Sequence, residues 1–331
     1  MAMATTIPSF EDILTAAQRL EGYARRTPLI ESNAASVQSK ARAFLKVETL
    51  QHTGSFKFRG AFNLISQLSE QEKSNGVVAY SSGNHAQAVA MVAGLHNIEA
   101  TIVMPSDAPA IKIETTERFG AKTVLYDRRT EVREEIASLI VDDSGAALVP
   151  PYDHPHTIAG QGTVGLEIVD QLAECDCIPD VVLVPCSGGG LVAGVAMAIR
   201  NKFPKTKVYA VEPNGFDDTA RSLANNKRQM IEKDSDSICD ALLVPIPGKI
   251  TFEINKRELG GGLVVTDDAV LAAMAFAFRH EKLILEPGGA IALAALLDPS
   301  NEFSGLNAVV VLSGGNVDSA IFKTAIDLID R

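Results

Sequence analysis

"DVVLVPCSGGGLVAGVAMAIRNKF" (180–203) reads as a strand, a glycine turn and a helix. "VVLVP" is β-branched and apolar without interruption, as a strand covered on both faces requires. The segment after the glycines is alanine-rich with helical spacing. The same form recurs at "GVVAYSSGNHAQAVAMVAGLHN" (76–97) and "NAVVVLSGGNVDSAIFKTAIDLI" (307–329). "EATIVMPSDAPAIKIETTERFG" (99–120) and "KVYAVEP" (207–213) supply further strands. Strands alternating with helices predict an α/β fold with mostly parallel sheets and helices on both faces. The strands fall into two blocks, roughly 76–150 and 180–313. Ligands of open parallel sheets bind at the carboxyl ends of strands, where the three serine-glycine turns lie.

"SGGGL" (187–191) sits where a backbone rich in glycine can approach a ligand and where helix N-terminal amides favour an anion. A phosphate cradle and a plain turn are both compatible with it. No Gly-Lys-Ser/Thr follows, so it is not a P-loop. Gly188, Gly190 and Gly194 with Glu212 resemble a dinucleotide fingerprint, but one placed deep in the chain rather than on a first strand.

The chain of 331 residues, 46% of them hydrophobic, is long enough for two domains. No apolar run reaches the roughly 18 residues of a membrane helix. The opening "MAMATTIPSFEDIL" lacks the basic region and apolar run of a signal peptide. Four cysteines, with one C-x-C at Cys175 and Cys177, make neither a disulfide framework nor a zinc site. A cytoplasmic location is expected. A net charge of −11 and a pI near 5.1 argue against a nucleic-acid surface, though not against an anionic small ligand.

"SFKFRGA" (55–61) flanks Lys57 with two phenylalanines. An ammonium in apolar surroundings is costly, so such a lysine either snorkels to water or is held neutral for attack on a carbonyl.

Taken with "TGSFKFRGA" (53–61), four more motifs complete a pattern: "SSGNHAQA" (81–88), "TIAGQGT" (157–163), "SGGGLVAG" (187–194) and "LSGGNVD" (312–318). "LEPGGA" (285–290) fits the same order. From "RTPLIES" (26–32) to the last "SGGN", the chain resembles the fold-type II pyridoxal-phosphate enzymes, in their serine/threonine dehydratase and serine racemase branch. The resemblance implies a tryptophan synthase β-like fold of two domains. A large cofactor-binding domain (1–66 and 154–331) would carry a small substrate-closing domain (67–153) as an insert. It also implies that no C-terminal regulatory domain follows, and that the protein is a homodimer.

By the same resemblance, Lys57 holds pyridoxal 5'-phosphate covalently and then serves as the base at the substrate Cα. Ser187, Gly188, Gly189, Gly190 and Leu191 cradle its phosphate. Phe56 packs beside the ring, Asn84 bonds the ring hydroxyl oxygen, Glu286 lies at the cofactor and Ser313 faces the pyridine nitrogen. Ser81, Ser82, Asn84 and His85 are candidates for the substrate carboxylate, and Ser82 matches the opposite-face residue of racemases. A histidine opening a helix is also a common packing residue. Glu212, the Phe216 carbonyl and Asp218 match a Mg²⁺, Mn²⁺ or Ca²⁺ site of some members, the alternative being an acidic surface turn.

Ala241 in "CDAL" (239–242) and the segment "PPYDHPH" (150–156) depart from the pattern of threonine dehydratases. Arg133 reads either as a solvated face with i,i+4 pairs or as a partner for an acidic substrate side chain. The implied reaction is dehydration of a β-hydroxy amino acid such as L-threonine or L-serine to a 2-oxo acid and ammonia. Serine racemisation, dehydration of 3-hydroxyaspartate, and an inactive cofactor-binding or amino-acid-sensing protein are the alternatives.

Overall fold

A computed structural model describes residues 6–81, 83–108, 110–232, 235–300 and 302–329. Ten strands form two sheets among them: β1 (Leu29–Glu31), β2 (Arg42–Val47), β3 (Val77–Tyr80), β4 (Ala100–Pro105), β5 (Lys122–Tyr126), β6 (Ala147–Leu148), β7 (Val181–Pro185), β8 (Lys207–Pro213), β9 (Gly261–Val265) and β10 (Asn307–Leu312). The larger sheet has the order β1-β2-β10-β7-β8-β9, and the smaller the order β5-β4-β3-β6. Every pairing is parallel except β1 with β2. The α/β expectation holds, and each β-branched run named above became a strand.

Alternation decides which residues build which core. Leu45, Leu183, Val211 and Val310 face one side of the larger sheet, against the helix Pro287–Leu297. Phe44, Val182, Val184 and Val309 face the other, against the helices Pro155–Ala173 and Gly190–Lys202. Both faces are apolar because both are covered, which is why these strands read as unbroken hydrophobic runs. The last two helices touch almost backbone to backbone. A Cβ at Gly194 would lie 2.5 Å from Gly162 N and from Ile158 O. Gly194 therefore serves helix packing, and the dinucleotide resemblance loses its third glycine.

The smaller sheet is drawn wholly from residues 77–148 and has its own core. Val77, Ala79, Ile102 and Met104 pack on one face; Val78, Val103 and Tyr126 pack on the other. Phe58 belongs to that first cluster, rather than to the surroundings of Lys57. Only Phe56 of the two flanking rings stays beside the lysine, with Lys57 Nζ 5.2 Å from its centroid.

A buried ionic knot fixes the lysine-bearing helix Lys57–Ile65. Arg59 is 1% exposed, donating to both Glu48 oxygens at 2.8 Å and to Glu167 at 2.6 and 2.9 Å. Lys46 Nζ joins Glu167 at 2.5 Å and Gln171 at 2.9 Å. Charges taken out of water persist only when paired and fully hydrogen-bonded, as these are.

Candidate active site

The serine-glycine turns after β3, β7 and β10 converge on one cavity of about 220 Å³ between the two sheets, with Lys57, Ser81, Asn84, Ser187 and Ser313 in its lining. Phe56, His85, Gly188, Gly189, Gly190, Leu191 and Glu286 line it too. Ser82 lies outside the described residues.

Lys57 stands at the first turn of its helix and donates from Nζ to Pro151 O at 2.7 Å. Desolvation, opposed by the Glu286 carboxyl, pushes its ammonium down to about 8. A neutral amine is thus within reach at ordinary pH, as nucleophilic and base roles demand.

The glycine loop is shaped by its neighbours. Gly189 has φ +92°, a left-handed conformation that suits glycine, and is the N-cap of the following helix. A Cβ at Gly188 would lie 2.4 Å from the Tyr152 ring, and one at Gly190 2.9 Å from Tyr152 O. The helix begins turning with Ala193 N–H to Gly189 O at 3.0 Å. The amides ahead of that bond are those a helix leaves without an internal acceptor, and they border the cavity. Free amides on a loop too tightly packed for any Cβ, beside a half-buried lysine, fit a phosphate-bearing carbonyl cofactor.

The segment 150–156, read from sequence as a departure, is part of the site's framework. The Pro151 carbonyl takes the Lys57 proton donor, and Tyr152 lies on the glycine loop. Asp153 accepts from Lys249, Ile250 and Thr251 amides, capping the helix Lys249–Glu258. An acidic residue between prolines was the available sign, but its partners lie nearly a hundred residues away.

Asn84 Nδ2 donates to Glu286 Oε1 at 2.6 Å, linking two residues of the cavity lining. Burial pushes the Glu286 carboxyl up to about 7. Ser313 is buried, and its Oγ lies 3.4 Å from Gly288 O, a weak bond that leaves its proton available. Ser81 Oγ accepts from Gly83 N at 3.3 Å. His85 is packed away, with Nε2 2.8 Å from Val149 O, and burial followed by the Lys57 charge pushes it down to about 3. Ala241 lies in a single 3₁₀ turn, Asp240–Leu242, on the cavity wall.

The wall on the smaller-sheet side carries Tyr80, Lys112, Arg128 and Arg133. Arg133 stacks on Tyr80 at 5.3 Å and holds Glu134 through Nε at 2.9 Å, instead of making an i,i+4 pair. Lys112, from the smaller-sheet side, forms an ion pair with Asp240 of the opposite wall.

The acidic turn is not surface. Glu212 is fully buried and accepts from Thr219 N at 2.9 Å and Ala220 N at 2.8 Å. Asp218 is buried with Oδ2 unpartnered, and Phe216, two positions earlier, is buried as well. Burial, then the Asp218 charge, pushes Glu212 up to about 8, and burial pushes Asp218 up to about 7. Among the described residues no three His, Cys, Asp or Glu side chains converge as a metal site.

The sequence profile of the pyridoxal-phosphate dependent enzymes matches residues 20–314. The chain belongs to that family. It is 40% identical over 312 residues to an L-threo-3-hydroxyaspartate ammonia-lyase of a Pseudomonas species, covering 94% of this chain and 96% of the relative. It is 38% identical over 323 residues to the L-threonine ammonia-lyase of Thermotoga maritima, covering 98% of this chain and 77% of that protein. The structure of maize serine racemase superposes with a TM-score of 0.90 at 35% identity, over 98% of this chain and 99% of that one. No helix among the described residues is long and apolar enough to cross a membrane.

Proposed function

We propose that the chain is a pyridoxal-phosphate-dependent ammonia-lyase, removing water from a β-hydroxy amino acid and releasing a 2-oxo acid and ammonia. The observation that carries the reading is Lys57, its ammonium lowered to about 8, sharing one cavity with the glycine loop and Ser313. Pyridoxal phosphate, when bound, supplies the electron sink that acidifies the substrate Cα–H. The amides of 188–191 would hold its phosphate, and Lys57 would hold the cofactor and afterwards take the Cα proton. Ser313 would donate to the pyridine nitrogen without protonating it, which favours elimination or rapid proton return over transamination. Phe56 would flank the ring, and Asn84 would bond its hydroxyl oxygen. Ser81, Ser82, Asn84 and His85 would take the substrate carboxylate through the turn that carries them.

Arg133 favours a substrate with a second carboxylate, in the class of 3-hydroxyaspartate. Glu134 engages its Nε, while its terminal nitrogens make no hydrogen bond among the described residues, and it lines the cavity. Two such N–H groups suit a carboxylate. The smaller sheet closing over substrate as an insert (67–153), dimerisation, and a reducing cytoplasmic setting complete the proposal. A divalent cation at Glu212, the Phe216 carbonyl and Asp218 belongs to it as well, supported by the unpartnered Asp218 oxygen.

The test is a panel of L-serine, L-threonine and the 3-hydroxyaspartates, assayed for 2-oxo acid, ammonia and opposite enantiomer. Dominant enantiomer formation would replace the lyase reading by racemisation. Arg133→Gln should lower kcat/KM for 3-hydroxyaspartate about 10- to 100-fold, from a charge-assisted hydrogen bond of roughly 1.5–3 kcal/mol. Equal losses on L-serine would remove the second-carboxylate reading. Mg²⁺, Mn²⁺ or Ca²⁺ should raise the melting temperature of the wild type, and not of Asp218→Asn; no rise with any cation would leave the two acids as a packed pair.

A further inference from the structure

Asn316 takes no part in the reading above, yet its side chain meets Asn84. We propose that Asn316 is a positioning residue that fixes which way the Asn84 amide faces, so that an N–H and not the oxygen is presented to the cofactor's ring hydroxyl oxygen. This rests on the proposed placement of Asn84 at that oxygen.

An asparagine amide has the same outline either way round, and its orientation follows from its hydrogen-bond partners. A backbone carbonyl accepts and never donates. The Asn316 atom 2.7 Å from Thr53 O is therefore its nitrogen. The same nitrogen lies 2.7 Å from Asn84, whose facing atom must then be the acceptor Oδ1. That turns Asn84 Nδ2 toward Glu286 Oε1, 2.6 Å away. Each link dictates the next. Asn316 Nδ2 has both hydrogens engaged, while Asn84 Nδ2 spends one on Glu286 and keeps one for the cavity it lines. Turning Asn84 over would set its oxygen against the Glu286 oxygen and its NH₂ against the NH₂ of Asn316.

The origin of the chain is firmly held. Thr53 has φ +57° and Gly54 φ +71°, both left-handed. Gly315 N donates to Gly54 O at 2.9 Å, and Phe56 N donates to Ser313 O at 3.1 Å. A Cβ at Gly54 would lie 2.6 Å from Asn316 Oδ1. The loop bearing Ser313 and the loop leading to Lys57 are thus laced together, and Asn316 extends the lacing to Asn84, at the start of a helix from the smaller sheet.

Wild type, Asn316→Ala, Asn84→Ala and the double variant would be loaded with pyridoxal phosphate. The measurements are the cofactor dissociation constant, the pH midpoint of the visible band of the lysine-bound cofactor, and the thermal melt. Asn316→Ala should weaken cofactor binding about three- to tenfold, the worth of one neutral hydrogen bond, and shift the midpoint. In the Asn84→Ala background the same change should do nothing to either. A merely structural role would move the melt and leave the spectral midpoint alone, or would act equally in both backgrounds, and either result overturns the inference. Should Asn316→Ala fail to fold, Asn316→Asp carries the same test, because it keeps the size and abolishes both donated bonds. If Asn84→Ala itself leaves the midpoint and affinity unchanged, the placement of Asn84 fails and the inference with it. If only Asn316→Ala is silent, the placement stands and the inference alone falls.

Discussion

Adding one methyl group at Gly188 should reveal what Tyr152 does for the glycine loop. A Cβ there would meet three ring atoms of Tyr152 at 2.4 to 2.5 Å. Carbon atoms pack best at roughly 3.5–4.0 Å, so the ring or the loop must give by about 1 Å or more. Overpacking of that kind costs typically about 1–3 kcal/mol. Gly188→Ala should therefore lower stability by that amount and weaken cofactor binding, since the displaced backbone is the proposed phosphate cradle. The nearest obstacles all belong to one side chain, so removing that side chain should relieve the strain. In a Tyr152→Ala background, Gly188→Ala should cost little, giving a coupling of about 1–3 kcal/mol in a double-variant cycle. Urea melts of the four proteins, without cofactor, measure it. Equal destabilisation in both backgrounds would refute the argument, as would a Gly188→Ala protein that melts like wild type.

Lys57→Ala should abolish turnover and the visible band of covalently held cofactor while the apoprotein still folds; a retained band would remove Lys57 from its role. Arg59→Ala should destabilise by about 3–5 kcal/mol, because fully buried Glu48 loses its guanidinium partner, whereas Glu167 keeps Lys46; Arg59→Met, measured in the same denaturant melts, should not recover the loss, since Glu48 still lacks that partner. Acid should also destabilise the protein through His85. Its folded-state pKa is pushed down to about 3 while the unfolded value is near 6.5, so below pH 6.5 the unfolded chain takes up a proton that the folded chain refuses. Its contribution is whole above pH 6.5 and declines by up to about 1.4 kcal/mol per pH unit down to about pH 3; His85→Gln should flatten that part of the stability–pH curve, and an unchanged slope would show His85 titrating normally.

What could be read in the sequence was what is local. "VVLVP" and "NAVVVL" declared buried parallel strands by composition, and the serine-glycine turns that follow them declared the edge where the cavity lies. The heptad alone left Lys57 open between two readings, and only the company of the other motifs pointed to the cavity it lines. What could not be read depends on partners distant along the chain. Phe58 flanks Lys57 in sequence but turns to the other sheet's core, since adjacent residues on a helix point in different directions. Glu48, Arg59 and Glu167 meet across as many as 108 positions, and a lysine inside the apolar strand "AFLKV" was the one hint of them. The reason for Gly188 is Tyr152, and for Gly194 it is the neighbouring helix. Neither is visible in a glycine count.

The smaller sheet is one continuous stretch, 77–148, so the chain enters it once and leaves it once. The exit borders the cavity. The entry follows the helix that Lys57 begins, and the exit runs through Pro151 and Tyr152, which touch the lysine and the glycine loop. Arg133 and Tyr80, on the cavity wall, lie between those passages, whereas Ser187–Leu191 and Ser313 lie beyond them. The fold thus separates along the chain the wall proposed to meet the substrate side chain from the glycine loop and Ser313, with Asn84 the exception. A cassette grafted from a relative between positions 76 and 149 would exchange Tyr80 and Arg133 while leaving Ser187–Leu191 and Ser313 in place, but it would have to keep Asn84, which bonds Glu286 and Asn316, and the face that packs on Phe58 and Phe62.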